Sequence, residues 1–235
     1  MLPKLALPIV AEVVRLPSDD ARQRSGETKR ARSRAALLAA AADVFRRGWH
    51  EARIEDIAKT AGVSPATAYN HFPGGKQELI GRVYAPFIDP LAEAAEADVD
   101  AGRDPIEAVE DHIRAAVMVM RRELPLTIAL TAAVTEQVVK VGRPPVPDPN
   151  DVRMLARWTT SLTLLVAYGQ DQGVFREFPA AQDVSSYHIL SLLQRIISRR
   201  EETVEETVAI ALSQLLPPLL IAQRETAKQL PTASP

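Results

Sequence analysis

The residues best suited to chemistry lie in the segment 54–76, IEDIAKTAGVSPATAYNHFPGGK, where short polar and aromatic side chains follow a tight turn. On a helix predicted over residues 65–72, only Ala68 and Phe72 are apolar contact residues, and they lie one turn apart facing inward. The remaining side chains are small, polar or aromatic, and none is acidic: Ser64, Ala66, Thr67, Tyr69, Asn70 and His71. Side chains of this kind can reach base edges and phosphates in a major groove about 12 Å wide.

A helix–turn–helix arrangement is predicted to position these side chains. The helix 54–60 has an apolar face formed by Ile54, Ile57, Ala58 and Ala61. Gly62 permits the positive φ of a tight reversal, and Val63 can pack beneath the turn. Ser64 is a favourable N-cap, and Pro65 at the first helical position loses only an amide that had no intrahelical partner. A helical hairpin that merely stabilises a bundle is the alternative.

A second phosphate-binding feature is predicted just beyond this helix. Gly74 and Gly75 would present exposed amides, and Lys76 would add a cation at the start of the next helix. The leading end of the first helix is also basic, with Arg22, Arg24, Lys29, Arg30, Arg32 and Arg34. That basic run fits either a solvated surface or an arm that follows DNA phosphates.

The rest of the chain is predicted to be helical, so the fold class is all-α. The predicted helices cover 28–48, 54–60, 65–72, a segment from 77 that kinks or ends near Ala85, 104–123, 126–141, 151–172, 184–199 and 203–216. Pro86 and Pro90 cause the expected kink, and Pro217 with Pro218 should stop or bend the last helix. The segment 142–150 contains four prolines and is predicted to be a loop.

Four segments follow from these patterns. Residues 1–26 are predicted to be a flexible arm, 27–83 a helix–turn–helix domain, 84–223 a helical domain for ligand binding and dimerisation, and 224–235 a flexible tail. Charge is divided accordingly, because residues 1–83 contain 14 Lys and Arg against 9 Asp and Glu, while the remainder contains 14 against 21. A basic module joined to an acidic domain is typical of a protein that binds a polyanion.

Several classes of function have no support in the sequence. The chain has no cysteine, which excludes disulfides and thiolate metal sites and suits a reducing, cytoplasmic setting. No G-x-S-x-G, H-E-x-x-H or glycine-rich phosphate loop is present, and the four histidines are scattered. We therefore expect no catalytic residues, no metal and no cofactor, and we expect neither a membrane span nor a signal peptide.

The run from about 28 to 79 resembles the DNA-binding domain of the tetracycline repressor (TetR) family of transcriptional regulators. The motifs that carry the resemblance are D-I-A-x-x-A-G-V-S at 56–64, T-x-Y-x-H-F at 67–72 and K-x-E-L at 76–79. The resemblance implies three N-terminal helices that read DNA, followed by a helical domain that binds a ligand and dimerises.

Site residues implied by the resemblance fall into two groups. Base or backbone contacts are expected from Ser64, Pro65, Ala66, Thr67 and Asn70. Contacts to phosphate are expected from Tyr69, His71 and Lys76, and from Arg53, which stands where the family often has a hydroxyl residue. This sequence has three residues between Phe72 and Lys76 where many members have two, which can displace the Lys76 contact.

The second domain has a candidate dimer interface and a candidate effector pocket. Apolar residues cover almost the full circumference of the helix 184–199, which favours burial against both its own domain and a partner. A central core helix in a monomer is the alternative. The predicted interface residues are Val184, Tyr187, Leu190, Leu193, Ile197, Val208, Leu212 and Leu215. The pocket candidates are Phe87, His112, Met118, Trp158, Tyr168 and Phe175, each of which can equally be a core residue.

The functional hypothesis is a homodimeric transcriptional regulator, most simply a repressor that a small-molecule effector releases from a palindromic operator. A sequence-tolerant, nucleoid-type DNA-binding protein without a ligand is the alternative, and it requires a steep salt dependence. A dimeric scaffold with a vestigial DNA-binding domain is a further alternative. Neither the effector nor the operator can be identified from the sequence.

Overall fold

The computed structural model describes residues 19–141 and 154–221, which form nine α-helices and no strand. The helices are α1 (Asp19–Arg47), α2 (Ile54–Thr60), α3 (Pro65–His71), α4 (Gly75–Asp100), α5 (Pro105–Arg122), α6 (Leu124–Val141), α7 (Met154–Asp171), α8 (Ala181–Ser198) and α9 (Val204–Leu219). The all-α prediction is confirmed. The arm up to residue 18, the whole of the predicted loop 142–150 and the tail lie outside the described residues.

Helix α1 begins at Asp19, nine residues before the predicted start, and so includes the end of the segment assigned to the arm. The helix includes Gly26, because a helical glycine costs only about 1 kcal/mol relative to alanine. Residues with good helix propensity stand on both sides of it in the sequence.

Helix α4 continues through both of its prolines, so of the two predicted alternatives, a kink or an end near Ala85, the end is wrong. Pro86 and Pro90 are four residues apart on one exposed face, where water can solvate the carbonyl groups that lose an amide partner. Ala85 and Ile88 are buried on the other side and hold the helix in place. One helix therefore runs from the DNA-binding unit into the second domain.

Helix α9 likewise extends through Pro217 and Pro218 to Leu219, beyond the predicted stop at 216. Backbone hydrogen bonds from the segment after α7 secure its end: the Arg176 amide donates to the Leu219 carbonyl at 2.8 Å. An isolated antiparallel bridge pairs Phe175 with Leu220 beside it. The last turn of α9 is thus held by tertiary contacts that outweigh the prolines' local preference.

Tyr84 on α4 ties three helices together in the core of the second domain. Its hydroxyl lies 2.6 Å from the Thr127 hydroxyl of α6. Because Thr127 donates its own hydrogen to the Met120 carbonyl of α5, Tyr84 must donate to Thr127. Burial raises the pKa of Tyr84 well above its ordinary value, so the phenol stays protonated. The core is therefore fixed by a satisfied polar chain as well as by apolar contacts.

Gly169 on α7 is required by the close approach of Phe175. A Cβ atom at residue 169 would lie 2.1 Å from Cδ2 of the buried Phe175 ring. Gly169→Ala should therefore destabilise the fold by about 1–3 kcal/mol, more than the gain of about 1 kcal/mol in helix propensity. Gly26→Ala is the matched control, because no atom lies within 4 Å of its added Cβ, and it should stabilise α1. Chemical denaturation measures both changes, and equal effects of the two substitutions would contradict this account.

Candidate DNA-binding site

The turn between α2 and α3 has the predicted geometry. Gly62 has φ of +69°, and the Val63 amide donates to the Ala58 carbonyl at 3.0 Å. The Ser64 hydroxyl accepts a hydrogen bond from the Thr67 amide at 3.1 Å, and Pro65 occupies the first turn. The N-cap and turn predictions are confirmed. This local chemistry sets the angle at which α3 leaves the turn.

Helix α3 is anchored by one narrow face. Ala68 and Phe72 are fully buried, as predicted, and α3 packs on both α1 and α2. The Arg34 guanidinium of α1 lies 4.7 Å from the centre of the Phe72 ring, a cation–π contact that helps to cover the end of α3. Because the buried face uses so few residues, the remainder of α3 faces away from the protein.

The predicted DNA-contact residues of α3 form one surface. Ser64, Pro65, Ala66, Tyr69 and Asn70 are exposed, whereas Thr67 and His71 are partly buried. Arg53 is exposed at the N-cap position of α2, and its side chain makes no capping hydrogen bond. Cationic side chains are also exposed on α1, at Lys29, Arg30 and Arg32. This surface combines small polar groups with nearby positive charge, the composition required for a nucleic-acid interface.

Lys76 is oriented differently from the predicted clamp. Its ammonium donates to the Trp49 carbonyl at 3.2 Å and lies 4.2 Å from the centre of the Trp49 ring. The neighbouring amides are also bonded within the protein: Gly74 donates to a Glu78 carboxylate oxygen at 3.1 Å and Gly75 to the Phe72 carbonyl at 2.9 Å. The extra residue before Lys76 creates this glycine turn, so the clamp is occupied by internal partners.

Comparison with known proteins agrees with this geometry. Residues 37–83 match the family model described as bacterial regulatory proteins, tetR family. The N-terminal domain is a tetR-family domain. The match covers α2, α3, the turn between them and parts of α1 and α4. No curated protein matches the sequence.

Solved structures of TetR-family regulators are similar in fold over about four fifths of this chain. Thermus thermophilus FadR, a TetR family transcriptional repressor in complex with lauroyl-CoA, is 22% identical with a TM-score of 0.60, covering 82% of this chain and 97% of that one. Bacillus subtilis FadR in complex with stearoyl-CoA is 16% identical with a TM-score of 0.58, covering 78% and 98%. The fatty acid degradation regulator FadR of Bacillus halodurans is 18% identical with a TM-score of 0.57, covering 78% and 94%. Similarity at this level establishes the fold.

The predicted effector residues of the second domain are only partly brought together. Phe87 and Trp158 both contact the Tyr84 ring, with centroid distances of 5.6 and 5.5 Å. His112 contacts α7 near Trp158, with Nε2 3.3 Å from the hydroxyl of Ser161, which is three residues along the helix from Trp158. No described residue accepts a hydrogen bond from the buried Trp158 indole N–H. Burial lowers the pKa of His112 to about 4, so its ring is neutral at neutral pH.

The other pocket candidates lie elsewhere. Met118 is 55% exposed on α5 and does not join the aromatic group. Phe175 is buried against Gly169 and pairs with Leu220, which gives it a structural role at the end of α7. Tyr168 is partly buried one residue before that glycine. Apolar character alone could not distinguish pocket-lining residues from core residues.

The predicted dimer-interface residues divide into two sets. Val184, Leu193, Val208 and Leu215 are buried within the chain, so they present no free surface to a second copy in this structure. Helix α8 packs against α5, α6, α7 and α9, which together cover most of its apolar circumference. Tyr187 is 70% and Leu190 is 41% exposed on the remaining face, while Ile197 and Leu212 are partly buried. Tyr187 and Leu190 remain candidates for contact with a second copy.

Sequence reasoning missed the residues that join the two domains. The Trp49 indole N–H donates to a Glu136 carboxylate oxygen of α6 at 2.8 Å, across 87 residues of sequence. The Gln77 side chain of α4 donates to the Ala133 carbonyl at 3.5 Å. Nothing in the spacing of these residues could have indicated the pairing, because it depends on the tertiary position of α6.

Substitutions on the exposed face of α3 should alter base preference. Thr67→Ala and Asn70→Ala should each cost about 1–3 kcal/mol of discrimination at one base pair, because the lost side chain no longer bonds a base edge. Thr67→Ala retains the backbone amide that Ser64 caps but loses the 2.9 Å bond between the Ser64 and Thr67 hydroxyls, whereas Asn70→Ala leaves both bonds in place. Competition binding against single-base variants of a preferred site measures the effect.

The matched control for these substitutions is Thr135→Ala on the exposed surface of α6. It should leave both affinity and base preference unchanged. A uniform loss of affinity on every sequence by the α3 variants would contradict their assignment to base contacts.

Proposed function

We propose that the protein is a homodimeric, sequence-specific transcriptional regulator that represses from a palindromic operator and is released by a small-molecule effector. The observation that carries the proposal is the division of α3 into a minimal buried face, Ala68 and Phe72, and an exposed face of small polar side chains. A structural helix would bury more of its surface. A recognition helix must keep its surface free to enter the major groove.

Positive charge supports the DNA-binding part of the proposal. Arg53 stands at the start of α2, and exposed Lys29, Arg30 and Arg32 belong to α1, which packs on α3. Cations on supporting helices set register by contacting phosphates, while the recognition helix reads bases. The acidic balance of the remaining chain directs DNA to this end of the molecule.

The effector part of the proposal rests on the core of the second domain. Trp158 has an indole N–H for which no described residue provides an acceptor, and His112 beside it is buried and neutral. An unpaired buried donor costs about 1–3 kcal/mol, which a bound molecule with an acceptor atom would recover. The FadR proteins of Thermus thermophilus and Bacillus subtilis, which are similar in fold, were solved with acyl-CoA ligands. An effector that prefers one spacing of the two recognition helices would shift the dimer off DNA.

Selection of bound sequences from a random DNA pool at physiological salt tests the proposal. We expect enrichment of one palindrome, with half-sites about one helical turn apart and a preference over random DNA of at least about 10³. Binding without enrichment that disappears as salt rises would instead support the sequence-tolerant binder, which the basic surface of α1 also fits. No binding at any salt would favour the scaffold alternative.

The dimer is tested at the exposed face of α8. Tyr187→Glu should give monomers in light scattering, because it places a charge in the apolar contact between two copies. Val139→Glu on α6 is the control, since that side chain is 78% exposed and lies away from α8 in sequence. A dimer that persists in Tyr187→Glu while the fold is intact would exclude this face as the interface.

A further inference from the structure

Trp49, Lys76, Glu136 and Lys140 form a connected group at the contact between the DNA-binding unit and α6, referred to below as the Trp49 junction. Trp49 is almost fully buried after α1, and Lys76 is in the first turn of α4. Glu136 and Lys140 are one turn apart on α6 and form an ion pair. The junction therefore joins the DNA-binding unit to a helix that also packs against α7 and α8.

The Trp49 indole makes contacts in two directions. Its N–H donates to Glu136 at 2.8 Å, which fixes the indole relative to α6. The face of its ring and its own backbone carbonyl both attract the Lys76 ammonium, at 4.2 Å from the ring centre and 3.2 Å from the oxygen. A cation–π contact of this kind is worth about 0.5–2 kcal/mol, depending on its exposure. Because the indole is bonded to α6, a shift of α6 also shifts the position at which the indole holds the Lys76 ammonium.

The charges within the junction also hold the Lys76 ammonium against the protein. The Lys140 ammonium and the Trp49 N–H lower the pKa of Glu136, and the charge of Lys76 lowers that pKa further. The Glu136 carboxylate is therefore ionised at neutral pH and attracts Lys76 toward the protein. Lys76 is consequently held by a carbonyl, an aromatic face and the field of a carboxylate, all of which compete with a DNA phosphate for the same ammonium.

We propose that the Trp49 junction is an autoinhibitory switch in which Glu136 of α6 controls whether the Lys76 ammonium is held over Trp49 or released to a DNA phosphate. The switch rests on the proposed DNA-binding function and adds a route for its regulation. Movement of α6 that strengthens the bond between Glu136 and Trp49 retains Lys76 and weakens DNA binding. Movement that breaks this bond frees Lys76 and adds one phosphate contact.

A double-mutant cycle on the full-length protein tests the switch. The probe is a short DNA duplex of mixed sequence at low salt, because a phosphate contact requires no particular base sequence. Glu136→Gln should tighten binding by roughly threefold or more, because it removes the charge that retains Lys76. Lys76→Met keeps an unbranched side chain over the indole but should lower the slope of log affinity against log salt by about one unit. In the Lys76→Met background, Glu136→Gln should give no gain.

Glu51→Gln is the matched control, since it removes the same charge from an exposed position two residues from Trp49. Any increase in DNA affinity that Glu51→Gln produces by removing a negative charge should be the same in the wild-type and Lys76→Met backgrounds. The switch is overturned if Glu136→Gln has the same effect in both backgrounds, or weakens binding. It is also overturned if Lys76→Met leaves the salt slope unchanged. Failure of the wild-type protein to bind any duplex would instead refute the proposed function, and the switch with it.

Fluorescence gives an independent readout. The chain has two tryptophans, so Trp158→Phe leaves Trp49 as the single reporter. Addition of the duplex should change the Trp49 emission as the ammonium leaves the ring, and the change should be absent when Lys76→Met is added. An unchanged emission in the Trp158→Phe protein while it binds DNA would show that Lys76 stays on the indole, which would overturn the switch.

Discussion

The burial of Ala68 and Phe72 against α1 and α2 is the contact on which the DNA-binding surface depends. These two side chains hold α3 through one narrow face, and burying a phenylalanine contributes about 1.5–3 kcal/mol. Because only these two side chains make that contact, most of the other side chains of α3 are exposed. Ser64 and Gly62 complete the arrangement, because the cap and the left-handed turn determine where α3 begins and in which direction it points.

Helices α4 and α6 connect the two domains. Helix α4 crosses from the DNA-binding unit into the second domain without a break, and Tyr84 within it anchors the aromatic core beside Trp158. Helix α6 contacts α1 and α4 on one side and α7 and α8 on the other. A change in the core near Trp158 therefore has a short physical path to the loop that contains Trp49. This arrangement suits a protein whose DNA affinity responds to events in its second domain.

Local chemistry predicted much of the fold, and tertiary contacts account for most of what it missed. The bounds of α2, the Ser64 cap and the buried face of α3 follow from side-chain spacing and turn residues, which depend little on distant packing. Pro86 and Pro218 were predicted to end or bend their helices, but both helices continue. Both prolines are exposed, and hydrogen bonds with the segment 174–176 hold the end of α9 in place. Leu193 was assigned to the interface because apolar periodicity indicates burial without naming the partner that causes it. The pairing of Trp49 with Glu136 had no local signal at all.

The central claim is that the exposed face of α3 reads bases in the major groove. Methylation interference tests it directly, because dimethyl sulfate marks guanine N7 in the major groove and adenine N3 in the minor groove. The account predicts that guanine N7 methylation blocks binding at a few positions in each half-site, while adenine N3 methylation has little effect there. Interference confined to adenine N3, or spread evenly over all positions, would contradict it.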